Sequence, residues 1–244
     1  MSSVYDGICG FNKFSGNDFP GTVSTVLFYS LCNLRCPYCQ NPDIVLGKTP
    51  QIDPEFLDDF LKRRKNMLDG VVITGGEPTI HKKLPDLIER IKKFGYKVKL
   101  DTNGLNSVAL RNCEIDYLAL DVKTTPEKYK KYLGADGSVE QITENLLKTI
   151  SIIRKTKGEL RITVAPKIIE RDDFDDIAEI CEGMDVYLQR FRTRFEVLDI
   201  DFFKKDSHDD NFIKEFKVYL EKTAKSVRIR DYGENAKTSE KIYS

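Results

Sequence analysis

The chain has 244 residues with 39 lysines and arginines against 39 aspartates and glutamates, so its formal net charge at neutral pH is zero. This balance implies no broad basic surface for nucleic acid, and we expect no nucleic-acid partner. The sequence shows neither an apolar run of the roughly 18–20 residues that cross a membrane nor an apolar secretory segment, so we expect a cytoplasmic protein without a membrane partner.

Strands and helices are predicted to alternate along the chain. Apolar runs predict strands at 22–29, 70–74, 97–101, 117–121, 159–165 and 185–190. Helical patterns lie between them, and the last helical pattern, at 209–222, precedes a short strand at 227–230. Strands that alternate with helices form parallel sheets. The sequence therefore predicts an α/β fold, a partial (β/α)6 barrel, in a single domain spanning 1–244, with a core at about 20–200 and a C-terminal helix and strand at 205–231.

Three cysteines, Cys32, Cys36 and Cys39, follow the first predicted strand with the spacing C-x3-C-x2-C. Three thiolates on one short loop can hold three irons of a [4Fe–4S] cluster and leave the fourth iron open to a ligand. A zinc site with a distant fourth ligand is an alternative, and so is a structural disulfide. The candidates for the fourth zinc ligand are His81, His208, Cys9, Cys113 and Cys181.

A second apolar run ends in Gly75-Gly76-Glu77-Pro78. The pattern predicts a buried strand that opens into a tight turn. Two glycines let the backbone approach a ligand closely, and Glu77 supplies a carboxylate at the strand end. The alternative is that these four residues form an ordinary turn between a strand and a helix and bind no ligand.

The next two predicted strands also end in polar side chains. Asp101, Thr102 and Asn103 end one strand, and Asp121 and Lys123 end the following one. A carboxylate at the end of a buried strand costs desolvation unless a partner meets it. Because active sites of barrels form at the carboxyl ends of the strands, we expect these side chains to line one site. Alternatively, these five side chains are helix caps, turn residues or members of surface ion pairs without a role in a site.

The cysteine spacing, with Tyr38 just before the third cysteine, and the Gly-Gly-Glu-Pro segment resemble the motifs of the radical S-adenosylmethionine (radical SAM) superfamily. The resemblance implies that SAM chelates the open iron through its amino and carboxylate groups. It also implies an oxidoreductase in which one electron from the cluster cleaves SAM to methionine and a 5′-deoxyadenosyl radical. Gly75, Gly76 and Glu77 would receive the SAM amino group, with Glu77 accepting a charge-assisted hydrogen bond.

The segments Asp-Thr-Asn-Gly at 101–104 and Asp-Val-Lys at 121–123 resemble motifs of the glycyl-radical-enzyme activases. This resemblance implies that Asp101, Thr102 and Asp121 lie near the SAM carboxylate and share a monovalent cation with it. Asn103 and Lys123 would line the SAM pocket.

Two segments near the N-terminus, Gly-Phe-Asn-Lys at 10–13 and Asp-Phe-Pro-Gly at 18–21, are similar to elements of the activating proteins of anaerobic ribonucleotide reductase. The resemblance implies a glycyl-radical enzyme as partner, with Asp18 meeting its peptide loop, and an electron donor such as flavodoxin or ferredoxin. By composition alone, the segment at 18–21 is simply a turn. Gln40 departs from the activases, which often have histidine after the third cysteine.

Two other functions are compatible with parts of the sequence. The 7-carboxy-7-deazaguanine synthases are small-molecule radical SAM enzymes with the same Gly-Gly-Glu-Pro motif, but they usually have Cys-Asp-Thr where this chain has Cys39-Gln40-Asn41. A zinc-stabilised binding protein without catalysis would leave Glu77, Asp101 and Asp121 at successive strand ends unexplained.

Overall fold

The computed structural model describes residues 3–191, 197–203 and 210–230. Its strands form one open sheet in the order in which they occur along the chain. These strands are β1 (Ile8–Ser15), β2 (Ser24–Tyr29), β3 (Gly70–Gly75), β4 (Lys97–Thr102), β5 (Tyr117–Asp121), β6 (Gly158–Val164), β7 (Asp185–Arg190) and β8 (Ser226–Arg230). Neighbouring strands from β2 to β8 are parallel, and β1 is antiparallel to β2.

Helices connect the parallel strands. They are α1 (Pro42–Val45), α2 (Pro54–Arg64), α3 (Leu84–Lys93), α4 (Pro126–Leu133), α5 (Val139–Ile153), α6 (Phe174–Ile180) and α7 (Asp210–Leu220). Local sequence sets several of their starts. Asp53 caps α2 by accepting a hydrogen bond from the Glu55 N–H, and Ser138 and Gln141 form a capping box at α5. In the described residues, no helix combines the length and apolar character needed to cross a bilayer.

The two faces of the sheet differ in chemistry. Alternate strand residues such as Leu100, Leu118 and Ile162 pack with the apolar stripes of the helices in the main core. The residues between them face the concave side, where Phe19, Val26 and Val72 form a small separate cluster. Because strand side chains alternate, the charged residues of β4 to β6 also face the concave side. The helices therefore cover one face, and the other face carries polar chemistry.

The predicted partial barrel is confirmed, with two additions. The strand β1 and the short helix α1 were not predicted. Ile8 to Asn12 are all buried, so β1 shows no polar alternation, and it includes Gly10 and Asn12, which are uncommon in strands. Its place depends on pairing with β2 and on a hydrogen bond from the Ile52 N–H to the Ile8 carbonyl. The predicted helix at 209–222 is α7; residue 209 lies outside the described residues.

Candidate active site

A cavity of about 730 Å³ runs along the concave side of the sheet. Its volume lies in the range of small-molecule sites. Every site residue that the sequence predicted lines it: Asp18, Cys32, Cys36, Tyr38, Cys39, Gly75, Gly76, Glu77, Asp101, Thr102, Asn103, Asp121 and Lys123. Except for Asp18, these residues lie at or just beyond the carboxyl ends of β2 to β5, as expected for a parallel barrel. These residues therefore line one cavity, and their roles as cluster and SAM ligands stay a prediction.

The cysteine loop follows β2 and is held by backbone hydrogen bonds at its entrance. Leu31 adopts a left-handed conformation with φ of 67°, which is uncommon for a residue with a branched side chain. Its N–H donates to the Ile44 carbonyl and its carbonyl accepts from the Glu77 N–H, both at 2.8 Å. The loop is thus fixed between α1 and the end of β3 immediately before the first cysteine.

The cysteine thiols are partly or fully buried. Burial raises the pKa of Cys32 to about 12 and that of Cys36 to about 11. Iron binds the thiolate form of cysteine, so binding of iron and release of protons are coupled at these thiols. All six cysteines are free thiols, which excludes the disulfide alternative.

In the described part of the chain, no candidate fourth ligand for a zinc ion lies beside the three cysteines. The candidates there do not line the cavity; they are Cys9, His81, Cys113 and Cys181. His81 instead stacks on Tyr29, with its Nε2 2.6 Å from the Ser30 carbonyl oxygen, and His208 lies outside the described residues. Among the residues described, no three His, Cys, Asp or Glu side chains converge as ligands of one metal ion do. A cluster spreads its thiolates over three irons, so this geometry favours a cluster over zinc.

Gly75 and Gly76 are required by the cysteine loop itself. A Cβ on Gly75, whose φ is 121°, would lie 2.3 Å from the backbone N and O of Tyr29. A Cβ on Gly76 would lie 1.7 Å from the Leu31 carbonyl oxygen. The sequence predicted close approach to a ligand. The structure shows that the loop backbone makes the close approach, because the chain crosses the end of β3 directly before the cysteines.

Glu77 joins the ends of β3 and β4. Its Oε1 accepts hydrogen bonds from the Thr79 N–H at 3.0 Å, the Thr79 hydroxyl at 2.6 Å and the Thr102 hydroxyl at 2.7 Å. Its Oε2 accepts one from the Asn103 N–H at 2.8 Å. Burial raises the pKa of Glu77, and these hydrogen bonds oppose the rise. A carboxylate oxygen accepts about two hydrogen bonds, so Oε2 retains an acceptor direction for a ligand.

Asn103 connects this corner to the cysteine loop. Its side-chain Nδ2 donates to the Asn33 Oδ1 at 2.8 Å, and its own Oδ1 accepts from the Leu105 N–H at 3.1 Å. Asn33 lies between the first two cysteines. Glu77 and Asn103 therefore form a continuous set of hydrogen bonds from β3 through β4 to the cysteine loop.

Five charged side chains form a cluster on the concave side, and we name it the β4–β6 charge cluster: Lys99, Asp101, Asp121, Lys123 and Arg161. Arg161 lies between the two aspartates. Its Nε and Nη2 are 2.8 and 3.1 Å from the two oxygens of Asp121, and its Nη1 is 3.1 Å from Asp101 Oδ2. Both aspartates and Lys123 were predicted from the sequence as site residues, whereas Lys99 and Arg161 were not.

Tyr38 and Asp18 occupy different parts of the cavity. Tyr38 is buried, and its hydroxyl has no hydrogen-bond partner among the described residues. Asp18 accepts a hydrogen bond from the Ser15 hydroxyl at 2.6 Å in the loop before β2. Asp18 precedes the six-residue strand β2 and the cysteine loop follows it, and a strand of this length spans about 20 Å. Asp18 and the three cysteines therefore line the cavity from opposite ends of β2.

Both edges of the sheet line the cavity. Phe14, the second-last residue of β1, has 64% of its surface exposed, and Arg230 ends β8. Thr163, Gln189 and Arg190 complete the wall on that side and were not predicted. We name this part of the cavity, between β1 and β8, its open side.

The residues present fit a [4Fe–4S] cluster with SAM beside it. Three thiols share one loop, a carboxylate and a cationic side chain face the same space, and the volume exceeds that of a single metal ion.

Comparisons with known proteins agree with this geometry. The family model described as "Radical SAM superfamily" matches residues 26–181. A Methanocaldococcus jannaschii protein named "Putative glycyl-radical enzyme activating enzyme MJ1227" is 34% identical over 236 residues, covering 91% of this chain and 95% of its own. The 7-carboxy-7-deazaguanine synthase of Haemophilus influenzae is 34% identical over 125 residues, covering 50% of this chain and 54% of its own.

A solved structure has a similar fold. The structure of TYW1 with a lysine-pyruvate adduct bound matches with a TM-score of 0.59 at 17% identity, covering 82% of this chain and 74% of that one.

Proposed function

The chain belongs to the radical SAM superfamily, and we propose that it is an activating enzyme that generates a glycyl radical on a partner protein. Its family cofactors are a [4Fe–4S] cluster and SAM. When bound and reduced, the cluster supplies the electron that cleaves SAM to methionine and a 5′-deoxyadenosyl radical. In the proposed reaction this radical takes a hydrogen atom from the Cα of a partner glycine, which yields 5′-deoxyadenosine and the glycyl radical.

In this proposal Cys32, Cys36 and Cys39 hold the cluster. The Gly75–Glu77 turn receives the SAM amino group, for which Glu77 Oε2 has an acceptor direction. The hydrogen bonds from Asn103 to Glu77 and to Asn33 fix the position of the cysteine loop relative to the Gly75–Glu77 turn. Lys123 presents a positive charge to the same space.

In the proposal, Asp101, Thr102 and Asp121 act near the SAM carboxylate, and Tyr38 contributes to the SAM pocket beside the third cysteine. All four residues line the cavity, which supports these roles.

The observation that carries the proposal is the match to the archaeal protein named as an activating enzyme, because it covers nearly the whole of both chains. The open side of the cavity supports it. A glycine in a folded partner must enter as a peptide loop, and a space lined by both sheet edges offers room for one. The exposed ring of Phe14 supplies an apolar contact there.

The partner in this proposal is a glycyl-radical enzyme, and anaerobic ribonucleotide reductase is the first candidate. The electron donor is a small reductant protein such as flavodoxin or ferredoxin.

A second candidate function is a small-molecule radical SAM enzyme similar to the 7-carboxy-7-deazaguanine synthases. The identity of 34% over 125 residues favours it. That match covers only half of this chain, and Gln40 and Asn41 depart from the usual sequence after the third cysteine.

Electron paramagnetic resonance of the reduced protein mixed with SAM and candidate glycyl-radical enzymes distinguishes the two functions. The activase produces a glycine doublet on the partner. If SAM cleavage is instead stimulated by a small metabolite and no candidate partner acquires a radical, the activase proposal is wrong and the second function replaces it.

Asp18→Ala tests the entry of the partner loop. Because Asp18 lies before β2 and the cysteine loop lies after it, the variant should keep its iron content and its SAM cleavage in the absence of the partner. Radical yield on the partner should fall. Asp136→Ala, an exposed aspartate that does not line the cavity, is the matched control and should leave the radical yield unchanged.

A further inference from the structure

Arg161 occupies the space between two carboxylates that the activase resemblance assigns to a monovalent cation. Asp121 and Arg161 are paired residues of the β5–β6 ladder, so both side chains leave the sheet at the same level. The guanidinium binds Asp121 through two nitrogens and Asp101 through the third. The three side chains are only 11, 12 and 24% exposed for Arg161, Asp101 and Asp121 respectively.

Every oxygen of the two aspartates already faces a cationic donor. Asp101 Oδ1 contacts the Lys99 ammonium, and its Oδ2 contacts Arg161. Asp121 Oδ1 contacts Arg161, and its Oδ2 contacts both Arg161 and Lys123. The guanidinium lies between the two carboxylates, so a metal ion that bridged them would have to displace a group held by bidentate, charge-assisted bonds, which are among the strongest ion pairs in proteins.

The charges of the cluster sum to a positive value. Lys99, Lys123 and Arg161 contribute three positive charges against two negative charges from Asp101 and Asp121. Burial favours protonation of Asp101, but Arg161 and Lys99 outweigh it and hold its pKa below the ordinary value. Burial favours protonation of Asp121 too, but Arg161 and Lys123 hold its pKa below the ordinary value, so both aspartates stay ionised. The nearby Glu159 is paired with Arg230, so one net positive charge remains beside the cavity. That charge favours an anionic group such as the SAM carboxylate.

We propose that the Arg161 guanidinium takes the place of the monovalent cation, so that this chain binds SAM without sodium or potassium at Asp101 and Asp121. Arg161 acts here as a positioning residue, through the two aspartates. The inference rests on SAM binding and not on the identity of the partner, so its failure would leave the activase proposal untouched, and the reverse holds as well.

The test measures SAM affinity of the anaerobically prepared holoenzyme by isothermal titration calorimetry. Buffers contain sodium, potassium or tetramethylammonium chloride at equal ionic strength. We expect the dissociation constant of the natural protein to agree within about twofold among the three salts. A gain of about tenfold or more on replacing tetramethylammonium with sodium or potassium would overturn the proposal.

The variant Arg161→Ala opens the space between the aspartates. We expect it to bind SAM about tenfold more weakly in tetramethylammonium and to recover part of this loss in potassium or sodium. Broadening of the ²³Na resonance by the variant, and not by the natural protein, would report the new cation site directly. Arg161→Gln, which keeps most of the length without the charge, replaces the alanine variant if that variant loses its cluster.

Lys99→Met is the matched control. It removes one positive charge from the same cluster but leaves Arg161 between the aspartates. Its SAM affinity should not respond to the choice of cation. If Lys99→Met gains the same response as Arg161→Ala, the net charge and not the position of Arg161 matters, and the proposal fails.

Discussion

The substitution Glu77→Gln tests whether this carboxylate ties the site together or acts only on SAM. Glutamine replaces one of the two oxygens with an NH₂ group, which cannot accept a hydrogen bond. At Oε1 the change would break three hydrogen bonds, whereas at Oε2 it breaks only the one from the Asn103 N–H. The amide should therefore orient with its nitrogen toward Asn103.

The magnitude follows from that single broken contact. Asn103 is 4% exposed, so its N–H would be left buried without an acceptor and would face another donor. Such a group costs about 1–3 kcal/mol. The loss falls on the connection between the ends of β3 and β4, next to the Asn103–Asn33 hydrogen bond that reaches the cysteine loop. The variant should therefore be less stable and should also retain less iron.

Two measurements check this prediction. Urea unfolding of the cluster-free protein should show a decrease of about 1–3 kcal/mol in the free energy of unfolding. The iron content after anaerobic reconstitution should fall as well. Glu159→Gln is the control, since Glu159 is an equally buried glutamate that bonds Tyr117 and Arg230 and does not reach the cysteine loop. It should keep full iron content.

The opposite pattern would refute the reasoning. If Glu77→Gln keeps its stability and its iron, the hydrogen bonds to β4 contribute little and the carboxylate acts only on SAM.

Two further predictions concern backbone space and a salt bridge. Gly76→Ala should abolish cluster binding, because its Cβ would lie 1.7 Å from the Leu31 oxygen, whereas Gly16→Ala, with nothing within 4 Å of its Cβ, should leave iron content unchanged. Asp58 accepts two hydrogen bonds from Arg90 at 2.9 Å, and Arg90 holds the pKa of Asp58 well below its ordinary value. The ionised Asp58 therefore stabilises the fold above the ordinary carboxyl pKa of about 3.9, and this contribution to the free energy of unfolding is lost as the pH falls below that value. Asp58→Asn should cost about 1–3 kcal/mol in urea unfolding of cluster-free protein at pH 7, and the difference should shrink steadily below about pH 4.

Features set by local sequence could be predicted. The three cysteines lie within eight residues of one another, and the strand-end positions of Asp101 and Asp121 follow from apolar runs that end in charge. In a parallel barrel, such ends meet at one edge regardless of the details of packing. The fold class was predicted for the same reason, since alternation of strands and helices is visible along the chain.

Features that depend on the register of strand pairing, or on which segment of the chain crosses the end of a strand, could not be predicted in the same way. Arg161 meets Asp121 only because β5 and β6 pair in that register, although the alternation of Glu159, Arg161 and Thr163 in a predicted strand was a signal for a polar inner face. The need for glycine at position 76 arises because the backbone of Leu31 passes close to it, and the sequence does not show which segment lies there.

The most direct test of the activase proposal follows a hydrogen atom. A candidate glycyl-radical enzyme is produced with α-deuterated glycine and mixed with the reduced protein and SAM, and the 5′-deoxyadenosine is analysed by mass spectrometry. The proposal predicts that 5′-deoxyadenosine gains one deuterium in step with formation of the protein radical. The proposal is contradicted if the 5′-deoxyadenosine carries no deuterium and a small metabolite is converted to product instead of the partner protein acquiring a radical.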